Sequence, residues 1–128
     1  MPTKADLPTN FRHVRLLLAR EKGYPAGDPD QGYDLLVPLQ EDGRLDAASW
    51  KNHQGICRVR SFKAETQDRI GKLRRKPRGQ WYFDYQVGDR DDEACFRLGD
   101  ERFVTGEYVS IAHPDEPHTY EVARVSAP

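Results

Sequence analysis

The chain has 128 residues and a net charge of −1, and 32% of its residues are charged, against about 25% in an average domain. That length suits one domain with a real core, and the near-zero net charge excludes a uniformly basic nucleic-acid binder while leaving room for a local basic patch. Two cysteines, Cys57 and Cys95, exclude a disulfide framework and are expected as free thiols.

Leu, Ile, Val and Phe make up only about a fifth of the chain, so the core is expected to be thin and helped by Trp and Tyr. The longest apolar run, Leu16 to Ala19, is too short for a membrane span or a signal-peptide core. A cytoplasmic protein without membrane contact is the expectation.

Residues 1–9 carry Pro2 and Pro8 and no apolar period, which reads as a flexible N-terminal arm before a single β-rich domain over 10–128. From Phe11 to Arg20 the chain alternates, with Val14, Leu16 and Leu18 on one face and His13, Arg15 and Leu17 on the other, which is strand periodicity. The Gly- and Pro-rich stretch EKGYPAGDPDQG (21–32) reads as a long loop. Tyr33, Leu35, Val37 and Leu39 then alternate in a second strand over 33–40. Pro38 marks an edge or bulge there, because proline has no ladder donor.

Asp46 is placed to cap a short helix over 47–53. Leu45 before it and Trp50 within it form a hydrophobic staple, His53 suits the C-terminal end of the helix dipole, and Gly55 reads as the stop. Residues 56–62 set Cys57 and Val59 against Arg58 and Arg60 as a further strand. Residues 64–75 fit two patterns. Thr66, Ile70 and Leu73 have helical spacing, but Gly71 would cost a helix about 1 kcal/mol relative to Ala, which favours a strand. Beyond them, ACFRL (94–98), RFVTGEYVSIA (102–112) and TYEVARV (119–125) read as strands. Several short strands joined by turns point to a mainly β fold: one small antiparallel β-barrel or strongly bent sheet of about seven or eight strands with one short helix.

The most informative stretch is RIGKLRRKPRGQWYFDY (69–85). It holds six cations and no acid from Arg69 to Arg78, followed by Trp81, Tyr82, Phe83 and Tyr85. Cations beside rings suit a single-stranded nucleic-acid platform. The turn chemistry argues otherwise. Lys76-Pro77-Arg78-Gly79 suits a type I turn followed by a left-handed glycine, hence a three-residue hairpin with a bulge. Lys76 then faces Gln80, Arg75 faces Trp81, Arg74 faces Tyr82, Leu73 faces Phe83 and Lys72 faces Asp84. Trp81, Phe83 and Tyr85 fall on the core side with Leu73. Ile70, Lys72 and Arg74 share the solvent side with Tyr82, Asp84 and Gln86. A slip of one residue would set Lys72 against Phe83, so turn and burial agree on one register. The basic tip, comprising Lys72, Arg74, Arg75, Lys76 and Arg78 with Tyr82 beside them, is then the candidate binding site for an acidic protein or for nucleic-acid phosphate. An edge strand kept soluble by charge is the plainer reading of the same residues.

HPDEPH (113–118) gathers His113, Asp115, Glu116 and His118, which are ligand types for a transition metal. The spacing is neither HExxH nor a Cys/His finger, and a proline-stiffened turn between strands accounts for it. DPDQGYD (28–34) lacks the glycine and glutamate positions of a calcium loop. Cys95 has no general base beside it in sequence, and DRDDE (89–93) is an acidic patch that balances the tip.

A non-catalytic binding or interaction module without a cofactor is therefore the leading expectation. A nucleic-acid contact through the hairpin tip 72–78 is second, and a metal-dependent enzyme at 113–118 is third. An exposed edge strand would also permit a homodimer.

Overall fold

A computed structural model describes residues 8–20, 25–85, 93–95, 98–112 and 117–128. Eight antiparallel strands form one curled sheet: β1 (Phe11–Leu18), β2 (Asp28–Pro38), β3 (Arg58–Lys63), β4 (Arg69–Arg75), β5 (Trp81–Tyr85), β6 (Glu93–Cys95), β7 (Tyr108–Ala112) and β8 (Pro117–Ser126). A single α-helix, α1 (Ala47–Asn52), and 3-10 turns at Gln54–Ile56 and Leu98–Asp100 complete the described elements. The strand order is β6-β5-β4-β3-β2-β1-β8-β7. The sheet bends into a half-barrel, so that its outermost strands β6 and β7 come beside each other. Among the described residues no helix is long and apolar enough to cross a membrane.

Alternation divides the sheet into two faces, because successive strand side chains point to opposite sides. Val14, Leu16, Leu18, Tyr33, Leu35, Val37, Val59, Leu73, Trp81, Phe83, Tyr85, Tyr120 and Val122 point inward and are buried. The Tyr33 ring lies 5.4 Å from Phe83 of β5 and 5.1 Å from Tyr120 of β8. The Trp50 indole meets Trp81 edge-on at 5.0 Å, and its N–H donates to the Leu73 carbonyl at 2.8 Å. A buried indole N–H needs such a partner, and this one fastens the helix to β4.

The helix start matches its sequence signals. Asp46 Oδ1 accepts from the Ser49 N–H at 3.0 Å, and Asp46 Oδ2 accepts from the Asn10 side chain at 3.0 Å. Leu45 and Trp50 are both buried in the core. The stop differs from expectation. His53 caps the helix, its N–H donating to the Trp50 carbonyl, and Gly55 falls inside the 3-10 turn that follows.

The hairpin has the register derived from its turn. Arg75 pairs with Trp81, Arg74 with Tyr82, Leu73 with Phe83 and Lys72 with Asp84. The Lys76 N–H donates to Gln80 and the Gly79 N–H to Lys76, both at 2.8 Å, and Gly79 has φ +94°. Residues 69–75 are strand rather than helix. Gly71 explains itself there: a Cβ would lie 2.5 Å from the Asp84 carbonyl oxygen, so β4 and β5 approach closely only because that side chain is absent.

Other boundaries moved. β2 begins at Asp28 inside the expected loop, since Leu18 pairs with Asp28 and Gln31 with Lys63. Ladder partners outweigh Gly and Pro content there. Pro38 pairs with Phe11 on one side, while the β3 ladder ends at Leu36, so the proline sits where β2 is locally an edge. Of the expected strand over 102–112, only Tyr108–Ala112 forms. The Glu107 N–H closes a turn onto the Val104 carbonyl at 2.9 Å, and the Phe103 N–H donates to Gly43 at 2.8 Å. Those bonds carry the Phe103 ring into the core from a loop. Of the expected strand over 94–98, Ala94 and Cys95 lie in β6 and Leu98 opens the 3-10 turn Leu98–Asp100. Most of the N-terminal arm, Gln86, Asp89 to Asp92, and His113, Asp115 and Glu116 lie outside the described residues.

Two substitutions check this account. Asp46→Ala should lower the unfolding free energy by about 1 kcal/mol through loss of the cap, with Asp46→Asn recovering most of it. Gly71→Ala should cost about 2 kcal/mol by forcing β4 and β5 apart. Urea denaturation reads both.

Candidate functional site

The hairpin cations do not converge on one point. Arg74 Nε is 3.0 Å from Asp84 Oδ2 on the outer face. Arg75 lies on the other side, with its guanidinium 5.1 Å from the Trp81 ring and its Nε donating to the Gly79 carbonyl at 3.1 Å. Lys76 Nζ sits 5.6 Å from the Tyr82 ring, and Arg78 is exposed in the turn. Lys72 stands on the outer face, opposite both Asp84 and Arg58. Of the candidate residues, Lys72 and Arg74 therefore adjoin the middle of the sheet, while the others stay at its end. His118, of the metal-ligand set, lies half-buried on β8 opposite Ile111. Among the described residues no three His, Cys, Asp or Glu side chains are grouped to hold a metal ion.

The outer face itself carries the more organised chemistry. The ladders align its side chains in rows that cross the strands. One row runs Ile70, Arg60, Asp34, Arg15, Arg124, from β4 through β3, β2 and β1 to β8. The next runs Lys72, Arg58, Leu36, His13, Ser126 over the same strands. Between and above them is a hollow of about 390 Å³, lined by His13, Arg15, Asp34, Leu36, Arg58, Arg60, Ile70 and Arg124 with the backbone of their neighbours. That volume lies within the range of small-ligand sites, about 300–1,000 Å³. Ile70 is 47% exposed and gives the rim an apolar edge.

The charges in this hollow are unevenly matched. Asp34 bonds the Arg60 guanidinium through both Nε and Nη2, and its other oxygen lies 3.6 Å from Arg15 Nη1. Asp68 takes Arg60 Nη1 at 3.1 Å. Hydrogen bonding to Asp34, the largest effect, together with the charges of Asp34 and Asp68, raises the Arg60 pKa against an opposing desolvation. These groups are partly exposed, so each pair contributes at most about 1 kcal/mol to stability. The guanidiniums of Arg15 and Arg60 also lie 4.9 and 5.3 Å from the Phe62 ring centre, covering that ring.

Arg124 stands directly opposite Arg15, and Arg58 directly opposite Lys72. Like charges facing each other across a ladder are destabilising. Across the outer face, among the described residues, six cations (Arg15, Arg58, Arg60, Lys72, Arg74 and Arg124) meet four carboxylates, Asp34, Asp68, Asp84 and Glu121, whereas the whole chain is net −1. Alternation shows Arg15, Arg58 and Arg60 on the outward side of their strands, whereas Arg124 shares the period of the inward Tyr120 and Val122 and is turned outward by a bulge at Ala123, where Arg15 pairs with Arg124 but Leu16 with Val122. The signal was the recurrence of outward arginine on separate strands. Strand order, which is non-local, supplied the rest.

Cys57 is a buried free thiol whose Sγ lies 3.4 Å from the His53 carbonyl. Burial pushes its pKa up to about 12, well above the ordinary thiol value, the reverse of what a nucleophile at neutral pH requires. No protein family matches the chain, and no curated protein or solved structure matches it either.

The Cys57 environment has a measurable sign. The folded state keeps the proton that the unfolded chain releases, so this contribution to stability is whole below about pH 9.0 and is lost as pH rises toward about 12. In a Cys95→Ser background, Cys57 should react with a disulfide reagent at pH 8 at least about a hundredfold more slowly when native than in urea.

Proposed function

We propose that the protein is a non-catalytic binding module that takes an anionic ligand in the arginine-lined hollow of the outer face. The observation that carries this reading is the pair of like-charge contacts, Arg15 opposite Arg124 and Arg58 opposite Lys72, flanking a ligand-sized depression. A folded surface gains nothing from such contacts by itself. An anionic group seated at either pair turns its repulsion into attraction and adds charge-assisted hydrogen bonds, the stronger kind. Arg15 and Arg60 are held in place by Asp34, so part of the ordering cost of binding is met before a ligand arrives. Among the described residues, Arg58 and Arg124 have no carboxylate paired with them. Leu36 and Ile70 give an apolar part of the ligand somewhere to rest.

The basic hairpin tip, read from the sequence as a contact for an acidic protein or a nucleic acid, joins this surface through Lys72 and Arg74. Those two residues extend the positive margin of the hollow.

The test is an amide-resolved NMR titration with inorganic phosphate and with citrate at low salt. Shifts should concentrate on β1, β3 and β8 around the hollow and weaken at high salt. Replacing Arg58 or Arg124 by Ser should weaken binding about tenfold each while the fold is kept. Shifts absent from the outer face, or unchanged in the double variant, would overturn the reading.

A further inference from the structure

We infer that the ligand of this hollow is an extended acidic segment of a partner protein, lying across the strands with carboxylates at both ends and an apolar side chain between them. The inference rests on the anion-binding reading above and names its ligand class. Three observations carry it.

The first is spacing. The Arg58–Lys72 pair spans β3 and β4, and the Arg15–Arg124 pair spans β1 and β8. With strands about 4.8 Å apart and the two rows two residues apart along the strands, the two positive centres are separated by roughly 16 Å. An extended peptide advances about 3.4 Å per residue, so acidic residues four positions apart stand about 14 Å apart at the backbone, and their flexible side chains cover the remainder. The second is what lies between the centres. Leu36 occupies the middle of one row, and the Asp34 charge in the other is engaged by Arg15 and Arg60. The middle of the ligand therefore meets an apolar residue and a neutralised carboxylate. An apolar side chain suits that place, and a third negative charge does not.

The third observation separates a peptide from a nucleic acid. A single strand is bound by stacking bases on exposed rings. Here Trp81, Phe83 and Tyr85 are buried, Phe62 lies beneath the Arg15 and Arg60 guanidiniums, and the half-buried outward ring Tyr82 stands at the hairpin end, outside the lining of the hollow. The outer face offers cations in two separate places, with carboxylates among them. A continuous phosphate backbone would meet those carboxylates as well as the arginines, and the chain as a whole carries a net charge of −1. Charge complementarity thus favours an interrupted acidic pattern over a uniform one.

The experiment compares four probes against the whole chain by the same amide-resolved titration. They are the blocked peptide Glu-Gly-Leu-Gly-Glu, its isomer Glu-Glu-Gly-Gly-Leu, a ten-nucleotide oligothymidylate and inorganic phosphate. The spaced peptide should bind at least about fivefold more tightly than its isomer, a preference that should vanish in Arg58→Ser and in Arg124→Ser. Equal binding of the two peptides would overturn the spacing argument. Tighter binding of oligothymidylate at the same amides would overturn the peptide class while leaving the anion-binding hollow standing. If no probe, phosphate included, moves the outer-face amides, both readings fall together.

Discussion

The contact on which the architecture depends is that of the Tyr33 ring with Phe83 and Tyr120. β2 is three places from β5 and two from β8 in the sheet. In a flat sheet those strands would stand roughly 14 and 10 Å away, beyond the reach of ring contact. The aromatic trio can meet only if the sheet bends inward on that side. Once it bends, the apolar side chains of seven strands share one interior, and the outermost strands β6 and β7 come beside each other. A chain with few aliphatic residues reaches a closed core in this way because each ring buries a large area per residue.

Bending the sheet assigns the opposite face to solvent, and strand alternation then decides what stands there. Arg15 is outward because Val14 and Leu16 are inward. Arg58 and Arg60 are outward because Val59 is inward. The ladders bring these residues level with one another across β4, β3, β2, β1 and β8. The outer face is thus a by-product of core formation in its position and a property of particular residues in its chemistry. Asp34 organises its centre by holding Arg15 and Arg60. In the flanks, cation faces cation.

How far this was legible in the sequence varied with the range of the interactions. The hairpin could be read residue by residue, because Lys76-Pro77-Arg78-Gly79 and the burial of Leu73 and Phe83 both select one pairing. The helix start could be read from Asp46, Leu45 and Trp50, all within six residues. Phe103 was misread as part of a strand, since its backbone bond runs to Gly43, some sixty positions earlier. Asp28 to Gln31 were misread as loop because composition there is turn-like, whereas pairing to Leu18 and Lys63 makes them strand. The meeting of Arg15, Arg58 and Arg124 needed the strand order, and β1 pairs with β8 across more than a hundred residues. Local patterns placed Arg15 and Arg58 on the outer face, while the bulge at Ala123 and the ladder to β1 bring Arg124 to the same face.

The facing cations also set the molecule's relation to its solvent. Proteins held by surface ion pairs lose part of that support when salt screens them. On this outer face salt acts in both directions: it weakens the pairs made by Asp34, Asp68 and Asp84 and relieves the repulsion of Arg15 with Arg124 and of Arg58 with Lys72. The fold is complete by its core, and its outer charges set how it responds to the ions around it.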